Sequence, residues 1–293
     1  MVEKQSGSAR TPTTSGRGRS VTVDRPGGRA GPGTPRRPVP PHPFHPVPDD
    51  GPAPPGGSSV PQSPTVPGAS APLALPARAV LLDMDGTLVD SGAAVERVWR
   101  EWAREHELDP ERVIAVAHGR QGYSTMAELL PDRPMEINHA ENRRLLELET
   151  ADLDGVVAIP GAAALLAALE DLPHALVTSA DVPLATARMG AAGLRVPDLR
   201  ITAESVGASK PDPEGFLKAA AALGVEPTDC VVFEDSPAGV RAGLAAGMRV
   251  IGVGTGTAAL GADPALPDLT GVRVEPDGTG GLRVLIDPGP VAP

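Results

Sequence analysis

The chain has 293 residues and a net charge of −11, unevenly spread: residues 1–80 hold nine Lys/Arg against four Asp/Glu, so the surplus of acid lies entirely in the remainder. An acidic body argues against nucleic acid as the main partner, because phosphate contacts need a basic face, and no apolar run approaches the ~18–20 residues of a membrane span. The single cysteine, Cys230, rules out an intramolecular disulfide, and with no secretory h-region after the N-terminus the expected location is cytoplasmic.

Residues 1–77 read as a disordered arm. "RAGPGTPRRPVPPHPFHPVPDDGPAPPGG" (residues 29–57) has almost no large apolar side chain, so burial cannot offset chain entropy there. Its "PRRPVPP" stretch resembles a polyproline II ligand, a weak docking element for a partner, although a plain spacer accounts for the same composition. The pattern changes at "ARAVLLDMD", a short apolar run with a polar stop that predicts a buried strand. "AAVERVWREWAREHE" has helical spacing with Val95, Val98, Trp99 and Trp102 on one stripe, which makes the tryptophans packing residues. Three further helical pieces follow, and no strand signal interrupts residues 92–153.

Alternation then begins. Helical "GAAALLAALEDL" precedes the strand "HALVTS", and helical "VPLATARMGAAGL" precedes the short strand "LRITAE". Helical "PEGFLKAAAALG" precedes "DCVVFED", and helical "PAGVRAGLAAGM" precedes "RVIGVGTG". Strand–helix alternation predicts an α/β fold with a parallel sheet flanked by helices on both faces. In the tail, "GVRV" and "LRVLI" are expected to be one or two edge strands.

Ligands of such sheets sit at the carboxyl ends of the strands. The first strand ends in Asp83-Met84-Asp85-Gly86-Thr87 and the second in Thr178-Ser179. The third is followed by Ser209-Lys210-Pro211-Asp212, and the fourth ends in Glu234-Asp235-Ser236. Crowded carboxylates repel unless a cation sits among them. Asp83, Glu234 and Asp235 offer hard oxygen ligands suited to Mg²⁺. Lys210 and the Thr178 hydroxyl are donors for phosphate oxygens, and Gly86 lets backbone approach the ligand closely. The chain has only three lysines, at positions 4, 210 and 218, so an ammonium at 210 in an arginine-rich composition points to a task that a guanidinium fork does not perform. The parsimonious ligand is a phosphoryl group. Asp83 is then the expected nucleophile, and Asp85, two residues on, the acid/base.

At these residues the chain resembles the haloacid dehalogenase superfamily. "DMDGTLVDS", "VTS", "SKPDP" and "FEDSPAGVRAG" look like its four motifs in order, over about residues 77–256. The resemblance implies a Rossmann-like core at 78–91 and 158–293, with an all-helical cap inserted at 92–157. It implies an aspartyl-phosphate on Asp83, acid/base work and a backbone carbonyl ligand to Mg²⁺ from Asp85, metal binding by Glu234 and Asp235, and phosphate binding by Thr178 with Ser179 beside it. His118 and Arg120 lie where related caps touch substrate. Asp85 sets the chain apart from the carbon–halogen-cleaving members, and a cap without lysine sets it apart from phosphonoacetaldehyde hydrolase. The motifs look most like those of glycerol-phosphate and 2-deoxyhexose-phosphate phosphatases, which implies a small phosphorylated metabolite as substrate. A hexose phosphomutase of the β-phosphoglucomutase type has very similar motifs and stays open, with Arg97, Arg120, Arg143 and Arg144 available for a second phosphate. An interaction protein working through its Pro-rich arm is the non-enzymatic alternative.

Overall fold

The structure, a computed structural model, describes residues 71–287. The Pro-rich segment and its docking motif lie outside the described residues. Strand β1 (Leu73–Ala77) is followed by β2 (Ala79–Leu82) and β3 (Val89–Asp90), then by four helices, α1 (Gly92–Glu105), α2 (Pro110–Ala117), α3 (Gly122–Leu129) and α4 (Met135–Ala151). The chain continues through β4 (Val157–Ala158), α5 (Ala162–Ala168), β5 (His174–Val177), α6 (Val182–Ala191), β6 (Arg200–Ile201) and α7 (Glu214–Leu223). It closes with β7 (Cys230–Glu234), α8 (Pro237–Ala245), β8 (Arg249–Val253), β9 (Ala265–Leu266), β10 (Val272–Pro276) and β11 (Leu282–Ile286).

The main sheet has the order β6-β5-β2-β7-β8-β9 and is parallel throughout. Every residue of β2 is buried, as expected of a strand covered on both faces. Val80 and Leu82 join the layer formed with Leu165, Leu184 and Met189 of α5 and α6. Ala79 and Leu81 join the opposite layer with Phe216 of α7 and Val240 of α8. One four-residue run thus feeds two cores by simple alternation. Among the described residues no helix is long and apolar enough to cross a membrane.

Two expectations need correction. The arm was expected to run to residue 77, but Leu73–Ala77 is strand β1, paired residue for residue with β11. The two tail strands, β10 and β11, are not edges of the parallel sheet. With β1 they make a separate antiparallel sheet of order β1-β11-β10. β1 looks like arm by composition ("LALPA"), and its partner lies about 200 residues away, where no local pattern registers it.

Helices α1 to α4 fill the interval between β3 and β4, which pair antiparallel as a clasp at its base. They enclose their own apolar centre, with Trp99, Trp102, Val113, Met126 and Leu129 buried together. Trp99 and Trp102 meet edge to face at 5.5 Å between centroids, a packing geometry aromatic quadrupoles favour. Helix α4 also packs on α6 of the parallel-sheet layer.

Candidate active site

Each strand tip delivers its polar residues by a local device. After β2 the Met84 carbonyl accepts from the amides of Leu88 and Val89 at 2.8 and 2.9 Å, and the turn passes through Gly86 at φ +82°. A Cβ at Gly86 would collide with the Asp235 carboxylate, so the glycine serves both the left-handed backbone and the close approach. After β7, Ser236 caps α8 by accepting from the Gly239 amide at 3.0 Å, followed by Pro237 in the first turn. The Glu234 carboxylate folds back over this helix start. Its Oε2 accepts from the amides of Asp235 and Ser236, both at 2.9 Å, and from Ser236 Oγ at 3.1 Å. A Cβ at Gly239 would strike that same carboxylate. Asp181 caps α6 by accepting from the Leu184 amide at 2.9 Å.

Lys210 stands at the centre. Its Nζ donates to Asp83 Oδ1 at 2.5 Å, to Glu234 Oε1 at 2.6 Å and to the Val177 carbonyl at 3.1 Å. Those three bonds use all three N–H groups of the ammonium. Burial opposes its charge, but the attraction of Asp83 and Glu234 prevails and lifts its pKa above the ordinary lysine value. One ammonium is too little for the acids gathered here. Burial pushes Asp83 up to about 8 against the pull of Lys210, with Glu234 and Asp85 adding repulsion. Burial raises Asp235 well above the ordinary range too, reinforced by Glu234 and Asp83.

Oxygens of Asp83, Glu234 and Asp235 lie within 4.8 Å of one another. Three acids sharing one ammonium, with two of them driven toward the protonated form, are a site short of positive charge, and a hard dication suits such an oxygen set. The residues present therefore fit Mg²⁺. Glu234 is already saturated on Oε2, so Asp83 and Asp235 have the more available oxygens.

The site opens on a cleft of about 170 Å³ between the parallel sheet and the helical insertion, with Asp83, Asp85, Gly86, Thr178, Ser179 and Asp235 on one side. Thr178 Oγ1 accepts from the Ala180 amide at 3.1 Å, which leaves its O–H to donate. Ser179 spends its hydroxyl differently, donating to the Gly119 carbonyl at 3.0 Å. That contact belongs to the loop between α2 and α3, which crosses the strand tips: the Gln121 amide donates to Ser209 Oγ at 2.9 Å, and a Cβ at Gly119 would strike Ser236. His118 and Arg120 flank Gly119 and both line the cleft. Arg120 is ion-paired with Glu128.

The haloacid dehalogenase-like hydrolase family matches residues 77–247. The chain belongs to that family. Hexitol phosphatase A of Escherichia coli strain K12 is 47% identical over 175 residues, 59% of this chain and 81% of that protein. Glycerol-1-phosphate phosphohydrolase 2 of Saccharomyces cerevisiae is 35% identical over 195 residues, 63% of this chain and 77% of that protein. Among solved structures, a β-phosphoglucomutase from Clostridium difficile superimposes with a TM-score of 0.59 over 66% of this chain and 92% of that one. At 21% identity it shows the fold alone.

Two residues of this candidate site escaped the sequence reading. Arg188 of α6, 2% exposed, donates from Nη1 to Asp85 Oδ2 at 2.9 Å and from Nη2 to Glu149 Oε2 at 3.0 Å. Asp85 Oδ1 accepts from Ser91 Oγ at 2.6 Å, so both of its oxygens are held. Burial pushes Glu149 up to about 7 despite the attraction of Arg188. A signal existed: Arg188 falls on the apolar stripe of Leu184, Ala185 and Met189, and Glu149 follows Leu145 by four residues on the buried side of α4. A charge at such a position has to be paired.

Proposed function

We propose that the chain is a Mg²⁺-dependent phosphatase that hydrolyses a small phosphorylated sugar or polyol through an aspartyl-phosphate on Asp83. One observation carries this reading: among the described residues Asp83 is the one carboxylate that both meets the Lys210 ammonium and lines the cleft. An Asp83 oxygen attacks phosphorus as the bond to the substrate oxygen breaks, and Asp85 gives that oxygen its proton. Asp85 then takes a proton from the water that attacks the same phosphorus, and the Asp83–phosphorus bond breaks to release inorganic phosphate. A polyol alkoxide is a poor leaving group, so the proton from Asp85 is essential to the first step. Thr178 donates to a phosphoryl oxygen, and Lys210 holds Asp83 in place for attack. Mg²⁺ held by Asp83, Asp235 and the Asp85 backbone carbonyl would supply neutralising charge for the carboxylates and phosphoryl oxygens. Relatives named for hexitol phosphate and glycerol 1-phosphate support a polyol phosphate as the substrate class.

The phosphomutase reading has less support. It needs a second phosphate site in the insertion, yet of Arg97, Arg120, Arg143 and Arg144 only Arg120 lines the cleft, and Glu128 already holds it. An interaction scaffold gives no return for burying crowded acids whose charge is so disfavoured. Release of phosphate from a panel of sugar and polyol phosphates, with and without Mg²⁺, tests the proposal. Asp83→Asn is expected to abolish turnover while the thermal unfolding transition stays cooperative. Interconversion of sugar phosphates without free phosphate, or an active Asp83→Asn variant, would count decisively against it.

A further inference from the structure

The steps above give Glu149 nothing to do, yet it is buried in the wall of the cleft. It projects from α4 of the insertion, while Arg188 projects from α6, and the two helices pack together. The Arg188 guanidinium is divided between Asp85 and Glu149, at 2.9 and 3.0 Å, and its buried Nε finds no acceptor. Two carboxylates, one on each terminal nitrogen, are therefore what fix its plane. Each Asp85 oxygen has two lone-pair sites, and Ser91 and Arg188 take one apiece. The carboxyl is thereby clamped, with a site left on each oxygen for the proton it handles.

We infer that Glu149 is a positioning residue: from the helical insertion it orients Arg188, and through Arg188 it sets the Asp85 carboxyl for proton delivery to the leaving oxygen. This rests on the phosphatase reading, with Asp85 as its acid. An arginine side chain is long and rotatable, and a single tether would leave its fork free to swing; a second tether on another element removes that freedom. Acid catalysis also becomes conditional on the seating of the insertion, because the far tether belongs to α4. An unseated insertion leaves Asp85 held by Arg188 but badly aimed.

The test is leaving-group dependence, measured as kcat/KM, which covers events up to departure of the alcohol. Glu149→Gln keeps the shape of the side chain and removes its charge. Two substrates are compared: p-nitrophenyl phosphate, whose leaving group departs without a proton, and the polyol phosphate that the unmodified chain cleaves fastest. For the polyol phosphate kcat/KM is expected to fall by about 10²-fold, in the range general acids contribute. For the aryl ester the fall is expected to be at least about tenfold smaller. Glu149→Asp, which keeps the charge, is expected to recover part of the loss, and serves as the second variant should Glu149→Gln unfold. Equal losses on both substrates, or no loss on either, would overturn the inference while leaving the phosphatase reading standing. An unmodified chain that cleaves neither ester would overturn both.

Discussion

The Lys210 ammonium, on a side chain only 7% exposed, lies 2.5 Å from Asp83 Oδ1 and reaches Glu234 Oε1 at 2.6 Å. It is the sole cation in contact with either acid among the described residues. Removing one partner of a buried ion pair leaves an uncompensated charge, at a cost of about 3–5 kcal/mol. Lys210→Met is therefore expected to destabilise the fold by that order in a urea titration, and to lower phosphate release by at least about 10²-fold, the scale of losing one electrostatic donor at a reacting centre. Lys210→Arg is expected to restore neither, because a planar fork does not occupy the place of a compact ammonium beneath Val177 and against Phe216. Near-normal activity in Lys210→Arg would contradict this account of the site.

The raised pKa values fix a direction for pH and metal together. Folded Asp83 titrates near 8, and Asp235 is also raised, whereas unfolded carboxylates titrate near 4. Between those values the folded chain holds more protons at these two groups than the unfolded one, so without metal the contribution of Asp83 and Asp235 to stability is fully present below about pH 4 and is lost as pH rises through about 8. A dication bound among these acids would replace those protons. Thermal melts in EDTA and in Mg²⁺ are expected to show a larger upward shift of Tm at pH 8.5 than at pH 5.5. A shift of equal size at both values would mean that Mg²⁺ does not bind among these acids.

Gly86 allows a sharper test of the corner proposed to hold the metal. Substitution by alanine places a Cβ at φ +82°, at about 1–2 kcal/mol for the left-handed backbone, and forces the Asp235 carboxylate aside. Gly86→Ala is expected to raise the Mg²⁺ concentration for half-maximal phosphate release by tenfold or more, which is about 1.4 kcal/mol. Gly190→Ala in α6 is the control, since a Cβ there meets nothing within 4 Å, and it is expected to leave the Mg²⁺ titration unchanged. Matching behaviour in the two variants would remove Asp235 from the metal set.

What could be read in advance follows from where the physics is local. Parallel strands buried on both faces show as short apolar runs, so the polar residues that end them stand out, and Asp83, Thr178 and Glu234 were found that way. Lys210 was read from the polar loop after the third strand, and the scarcity of lysine in the chain strengthened that reading. Arg188 and Glu149 were missed because a charge on a helix looks solvated until a second helix covers it, and the covering of α6 by α4 is a tertiary fact. The β3–β4 clasp escaped because two residues per strand carry no periodicity. Strand β1 escaped because it continues the small-residue and proline composition of the preceding segment, while the strand it pairs with comes at the far end of the described chain.

That last strand separates two truncations which composition alone would treat as one. The boundary first expected, at residue 77, cuts away all of β1, including Ala77, which is buried. A chain beginning at Ala71 keeps the whole β1–β11 register from Leu73↔Ile286 to Ala77↔Leu282, and its phosphate release is expected to match that of the full chain. A chain beginning at Arg78 leaves β11 with β10 as its one remaining partner and uncovers Val284, which is fully buried in the intact sheet. It loses apolar burial at roughly 25 cal/mol per Å² together with the β1–β11 backbone bonds, each of which contributes about 0.5–1.5 kcal/mol net. The Arg78 chain is expected to melt several degrees lower than the Ala71 chain, at about 2–4 °C per kcal/mol for a domain of this size, with kcat unchanged at temperatures where it stays folded. Equal melting temperatures would mean that β1 adds nothing to the fold. A large loss of kcat in the Ala71 chain would give residues 1–70 a part in catalysis that the site does not call for.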